Sequence, residues 1–81
     1  MKLSREYIRF MGLVERIDPA CRNNPDLFFP EDWDVGSERR NVISLAKSYC
    51  EVCPIRSQCL EYAITAKEEF GIWGGLTPQE R

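Results

Sequence analysis

The sequence predicts an all-α fold, a small bundle of three to four short helices, on three observations. Apolar residues recur at helical spacing in three separate segments. No stretch shows the apolar–polar alternation of a half-buried strand. Proline and glycine punctuate the chain between the periodic segments rather than within them, Gly12 excepted.

The first helix is expected over residues 4–17, with Tyr7, Ile8, Met11, Val14 and Ile17 as its apolar stripe and Asp18-Pro19 as its stop. Residues 18–36 hold Pro19, Pro25, Pro30, Gly36 and the pair Asn23-Asn24, and read as a long loop or a set of turns. That loop also carries Leu27, Phe28, Phe29 and Trp33, so it is expected to be held by something. A second helix starts at Ser37, read as its N-cap, with Glu38 in the first turn. It carries Val42, Ala46, Tyr49, Cys50 and Cys53 at helical spacing, so both cysteines share one face if the helix extends that far. Pro54 suits the first turn of a third helix over about 54–69, whose apolar side is Ile55, Cys59, Leu60, Ala63 and Ile64. Gly71-Ile72-Trp73-Gly74-Gly75 then forms a glycine-rich turn, implying positive φ or close backbone approach. Thr77-Pro78-Gln79-Glu80 has the pattern of a capping box and predicts the start of a last helix.

Composition excludes several classes of function. Eighty-one residues make a single domain over 1–81, and a chain this short buries too little apolar surface to be comfortably stable unaided. At 43% hydrophobic and 30% charged residues it is too apolar for a disordered chain. A net charge of −2 argues against a stand-alone nucleic-acid binder. No apolar run approaches the roughly 18 residues of a membrane span, and charges at Arg5, Glu6 and Arg9 interrupt any secretory leader. A cytoplasmic protein with no membrane association is expected. With no histidine and with scattered carboxylates, acid–base or triad catalysis has no candidate, so no enzyme and no small-molecule substrate are expected.

The four cysteines, Cys21, Cys50, Cys53 and Cys59, have the spacing C-x28-C-x2-C-x5-C. A disulfide framework needs an oxidising compartment, for which the amino-terminal segment gives no sign. A structural zinc site usually draws on two short knuckles, and only one CxxC is present. An iron–sulfur cluster, larger than a single ion, can take thiolates from unpaired positions. Spacing alone leaves zinc and cluster nearly even, and a metal centre is the inference common to both. Either would need donors, for which the backbone N–H groups of the glycine-rich turn and of the third helix's first turn are suited. Arg22 and Arg56 are candidate charge partners beside the ligand segments.

The combination C-x28-C-x2-C-P-x4-C, with Asp26-Leu27-Phe28-Phe29-Pro30 between the first two cysteines and Gly71-Ile72-Trp73-Gly74-Gly75-Leu76 after the last, resembles the WhiB-like family of actinobacteria and their phages. The resemblance covers about residues 18–81 and leaves the first helix, 1–17, outside the shared motifs. It implies one 4Fe–4S cluster held by Cys21, Cys50, Cys53 and Cys59, with the helices wrapped around it and the glycine-rich turn following the third. An oxidised cluster with four thiolates carries about −2, taking the whole chain to about −4. The resemblance also implies a redox-sensitive transcription regulator that binds region 4 of the primary sigma factor of RNA polymerase. Carried over by motif, the sigma-contacting residues are Phe28, Phe29 and Pro30 with Trp73, and Gly74 and Gly75 shape the turn. Loop aromatics in so small a chain serve either an interface or the core. Trp33, outside the motif, is assigned to the core.

Family members that bind DNA usually continue past the glycine turn into a basic tail. Here residues 76–81 hold one basic residue, Arg81, and no basic run exceeds Arg39-Arg40. Promoter DNA is therefore expected to be contacted weakly or indirectly, and an inhibitor or competitor of longer relatives is the mechanism that follows. Two alternatives stand beside this reading: a zinc-stabilised interaction module, and a thiol–disulfide oxidoreductase acting through Cys50 and Cys53. The second lacks the strand–helix–strand context of a thioredoxin-like enzyme.

Overall fold

The computed structural model describes residues 4–81; the first three residues, part of the stretch read above for a leader, lie outside the described residues. Helix α1 spans Arg5–Ile17, three 3-10 turns follow at Ala20–Asn23, Pro25–Phe28 and Pro30–Asp32, and α2 (Ser37–Glu51) and α3 (Arg56–Thr65) complete the helical part. Among the described residues there is no strand, only an isolated bridge between Trp73 and Leu76.

Helix α1 begins where the Ser4 side chain accepts a hydrogen bond from the Tyr7 N–H at 3.0 Å. It ends where Asp18 turns left-handed (φ 53°) and returns its N–H to the Val14 carbonyl. The buried face differs from the stripe expected. Phe10 and Val14 are buried, whereas Ile8 is 58% exposed and Ile17 also reaches the surface. Spacing admits both Tyr7–Phe10–Val14 and Ile8–Met11; the first wins because Phe10 stacks on Tyr62 of α3, ring centroids 4.8 Å apart.

Helix α2 starts one residue earlier than expected. Gly36 (φ 119°) occupies the N-cap and Ser37 is the first helical residue, with no side-chain cap. The helix stops at Glu51, so Cys53 lies beyond it, in a turn whose N–H reaches the Cys50 carbonyl at 3.2 Å. Helix α3 is shorter than the 54–69 expected. It closes in a Schellman motif, with Glu68 N–H on the Ala63 carbonyl and Lys67 N–H on that of Ile64. Lys67 (φ 56°) takes the left-handed position that glycine usually fills, so no sequence signal marks this end. Tyr62 replaces Ile64 on the buried face of α3; Ile64 is exposed.

The last helix is not formed. Residues 78–80 make one turn, in which the Thr77 N–H donates to the Glu80 carboxylate at 2.8 Å and the Glu80 N–H to Thr77 Oγ1 at 3.3 Å. The capping box is thus present without a helix behind it.

The core is in two pieces. Phe10, Val14, Ile55 and Tyr62 form one cluster, between α1 and α3, with Cys53, Cys59 and Trp73 against it. Phe28, Ala46, Cys50 and Ile72 form the other, between α2 and the 3-10 turns, with Cys21, Leu27 and Tyr49 against it. Each piece carries two of the four cysteines.

Candidate metal centre

The cysteines reach one place from four elements. Cys21 sits in the first 3-10 turn, Cys50 in the last turn of α2, Cys53 in the connection, and Cys59 in the first half of α3. Cys50 is buried, the other three are half-buried, and none of the four is paired in a disulfide. All four line one cavity of about 370 Å³ lying between the two core pieces. Its remaining wall is largely apolar, including Phe10, Met11 and Val14 of α1, Phe28, Ile55 and Ile72. Arg22, Arg56 and Gly74 also reach it. Among the described residues, no three His, Cys, Asp or Glu side chains converge closely enough to hold one metal ion.

Trp73 and Gly74, from the glycine-rich turn, complete the lining. Gly74 (φ 59°) and Gly75 (φ 86°) form a two-residue turn between Trp73 and Leu76, whose backbones exchange hydrogen bonds of 3.1 Å. A Cβ on Gly74 would sit 2.8 Å from the Arg56 carbonyl and 2.9 Å from Leu60 Cα, so only glycine lets the turn lie against α3. The guanidinium of Arg56 lies over Gly75, its Nε donating to the Gly74 carbonyl at 3.2 Å.

Electrostatics in this cavity oppose bare thiolates. Burial pushes the Cys59 thiol up to about 12; the Gly74 N–H works against the rise, and the neighbouring Cys50, Cys21 and Cys53 add to it. Burial likewise raises Cys50, against the pull of the Gly75 N–H and Arg56. Cys21 is raised by burial and by Cys53, against its own backbone N–H and Arg22. Deprotonating these thiols would need compensating positive charge, which a bound metal centre would supply. Four sulfurs on one cavity, with the Gly74 and Gly75 N–H groups and the charges of Arg22 and Arg56 nearby, fit a metal centre.

The other sequence-predicted residues divide between inside and surface. Phe28 is buried against Ala46, Cys50 and Ile72, and Pro30 is buried beside it. Phe29 is turned outward, 38% exposed. Trp73 is half-buried, its ring centroid 5.5 Å from that of Tyr62 and 6.2 Å from that of Phe10, and its Nε1 donates to the Phe70 carbonyl at 2.9 Å. Gly74 and Gly75 are buried. Trp33 is half-buried rather than in either core piece; its Nε1 donates to the Asp26 carbonyl at 3.0 Å, and its own carbonyl accepts from Arg39. Sequence reasoning did not connect α1 with the cysteines. The aromatic at Phe10, one helical turn before Val14, was the available signal.

Residues 16–81 match the family model described as "Transcription factor WhiB". The chain is 48% identical over 62 residues to the "Transcriptional regulator WhiB" of Streptomyces coelicolor, covering 76% of this chain and 63% of that protein. It is 47% identical over 62 residues to the "Transcriptional regulator WhiB2" of Mycobacterium tuberculosis, covering 76% and 62%. It is 39% identical over 62 residues to the "Redox-responsive transcriptional regulator WhiB3" of Mycolicibacterium smegmatis, covering 75% and 65%. The match thus spans less than two thirds of the length of these relatives. Arg5 to Glu15, most of α1, lie outside the residues the family model matches.

Proposed function

The chain belongs to the WhiB family of transcription regulators, and from that premise we propose that it is an iron–sulfur-dependent regulator acting on region 4 of the primary sigma factor. The observation that carries the reading is the single cavity into which all four cysteines open. Cys21, Cys50, Cys53 and Cys59 would hold one 4Fe–4S cluster there. When bound, that group supplies a redox-active centre open to attack by oxidants.

The chain's own residues account for the rest. The N–H groups of Gly74 and Gly75 offset negative charge on Cys59 and Cys50, and Arg56 and Arg22 add positive charge beside Cys50 and Cys21. Phe10, Met11 and Val14 exclude water from one side. Because each half of the core contributes two cysteines, a group filling the cavity would join the halves, and its binding would be folding free energy.

The partner surface would be built from residues that this packing leaves available. Phe29 is exposed beside the cavity it helps to line, Val52 at the cavity rim is 82% exposed, and Trp73 presents part of its ring. Aromatic anchors next to exposed aliphatic surface suit a protein partner. Within these 81 residues the charge is −2 and no basic run exceeds Arg39-Arg40, which supports weak or indirect promoter contact. The role requires no catalysis, and its place of action is the cytoplasm, with RNA polymerase. Among the described residues no helix is long and apolar enough to cross a membrane.

Anaerobic purification with co-expressed sigma region 4 tests the proposal. A brown protein with about four irons and four sulfides per chain that co-elutes with sigma is the expected result. One zinc and no sulfide would replace the cluster by a zinc-stabilised module. A loaded chain that does not retain sigma would overturn the partner.

A further inference from the structure

The turn that faces the cysteines is itself gripped from outside the cavity. Arg81 Nη1 donates to the Gly71 carbonyl at 2.8 Å and to the Leu76 carbonyl at 3.1 Å. Its Nη2 donates to the Glu68 carbonyl at 2.8 Å. One guanidinium therefore gathers carbonyls from both ends of the segment 71–76 and from the stretch just after α3. From the other side, the Gly71 N–H donates to both carboxylate oxygens of Glu31 at 3.2 Å. The Gly71 residue is thus held through its N–H by the third 3-10 turn and through its carbonyl by Arg81. Neither Arg81 nor Glu31 lines the cavity.

We propose that Arg81, with Glu31 opposite, is a positioning residue for the metal centre, fixing the turn against the cavity so that the Gly74 and Gly75 N–H groups can donate to the sulfurs of Cys59 and Cys50. The inference rests on the cluster reading given above. A guanidinium suits the task because its planar fork places separate donors at separate carbonyls, which an ammonium group offers only from one point. Hydrogen bonds to cluster sulfurs favour the more negative, reduced form and so raise the reduction potential. A slackened turn weakens them and lowers it.

The test is Arg81→Lys, which keeps the charge and loses the fork. Anaerobic titration of the loaded chain against dithionite is expected to show reduction disfavoured about tenfold, or about 59 mV for one electron. Amide exchange at Gly74 and Gly75 is expected to accelerate selectively. An unchanged potential in a loaded Arg81→Lys chain overturns the proposal, since a role through charge alone survives the substitution. If Arg81→Lys takes up no cluster, Val42→Ala, which opens a hole in α2 away from the cavity, is the control. Normal loading by Val42→Ala supports a turn-specific role, and equal failure overturns it. If the unaltered chain takes up no iron and sulfide, the cluster reading fails instead. Exchange at Gly74 and Gly75 then decides the clamp by itself, and the absence of selective acceleration in Arg81→Lys overturns it.

Discussion

The Ile72 N–H donates to the Phe28 carbonyl at 2.7 Å, joining the second 3-10 turn to the glycine-rich segment 44 positions later. The two side chains also share a core piece with Ala46 and Cys50. Alignment at Phe28 turns the next residue, Phe29, outward, so two adjacent phenylalanines do different work.

That difference is measurable. Phe29→Ala is expected to weaken binding of sigma region 4 by about 30-fold, about 2 kcal/mol, as for an interface anchor. Its thermal midpoint should remain close to that of the unaltered chain. Phe28→Ala should instead destabilise the fold by about 3 kcal/mol. Titration calorimetry and thermal unfolding separate the two, and equal effects on both quantities would remove Phe29 from the interface.

Gly74→Ala should be among the most damaging single substitutions. The new Cβ meets the Arg56 carbonyl at 2.8 Å, and the φ of 59° is unfavourable to any side chain. Backbone strain and overpacking together predict a loss of about 2–4 kcal/mol, read from the denaturant midpoint of the loaded chain. A loss below about 1 kcal/mol would mean that the turn moves freely away from α3.

Helix α1 belongs to the working fold although most of it lies outside the residues matched to the family. Phe10 stacks on Tyr62 with an interplanar angle of 6° and also lines the cavity. Phe10→Ala is expected to cost about 3 kcal/mol and to speed bleaching of the cluster in air several-fold. Visible absorbance followed after exposure to oxygen checks the second effect, and an unchanged decay would show that α1 shields nothing.

Any one of Cys21, Cys50, Cys53 and Cys59 replaced by Ala should leave a chain that neither holds four irons nor unfolds cooperatively. The expectation follows from the divided core, in which two sulfurs stand on each side. Metal analysis and circular dichroism check it. A Cys53→Ala chain that still binds sigma tightly would mean that folding does not depend on the metal centre.

Glu80 gives a pH signature remote from the cavity. Its hydrogen bonds from Lys47, at 2.8 Å, and from the Thr77 N–H hold its carboxyl down to about 2, from an ordinary value of 4.5. The folded value lies below the unfolded one, so the stabilisation is present above pH 4.5 and is lost as pH falls through about 2. The pair is exposed, and salt should reduce the effect. Carboxyl NMR titration should find Glu80 still ionised at about pH 4, and in Lys47→Met its midpoint should move up towards the ordinary range.

Much of this was legible beforehand where local chemistry decides. Asp18-Pro19 ended α1 as read, and Val42, Ala46 and Cys50 lie on one buried stripe of α2. What escaped depends on contacts distant in sequence. Ile8 and Phe10 lie on different faces of α1, and only the position of Tyr62 selects the face of Phe10 for burial. Lys67 ends α3 by a left-handed turn that carries no glycine to announce it. The capping box at Thr77–Glu80 signals a helix start, yet Glu80 and Arg81 are drawn to Lys47 and to the turn. At the candidate site, cysteine spacing marked four sulfurs for one centre and left its nature open. The contributions of Phe10, Glu31 and Arg81 depend on folding that the spacing does not encode.

The division of the core has a consequence for how long the molecule would last in a cell. With two small apolar pieces on either side of the cysteines, a chain that lost the group between them would spend far more time open. Open chains are what proteases degrade, so the amount of protein present would follow the supply and survival of that group. Damage to the centre would then be recorded as disappearance of the regulator rather than as an altered form of it, and recovery would wait on new synthesis.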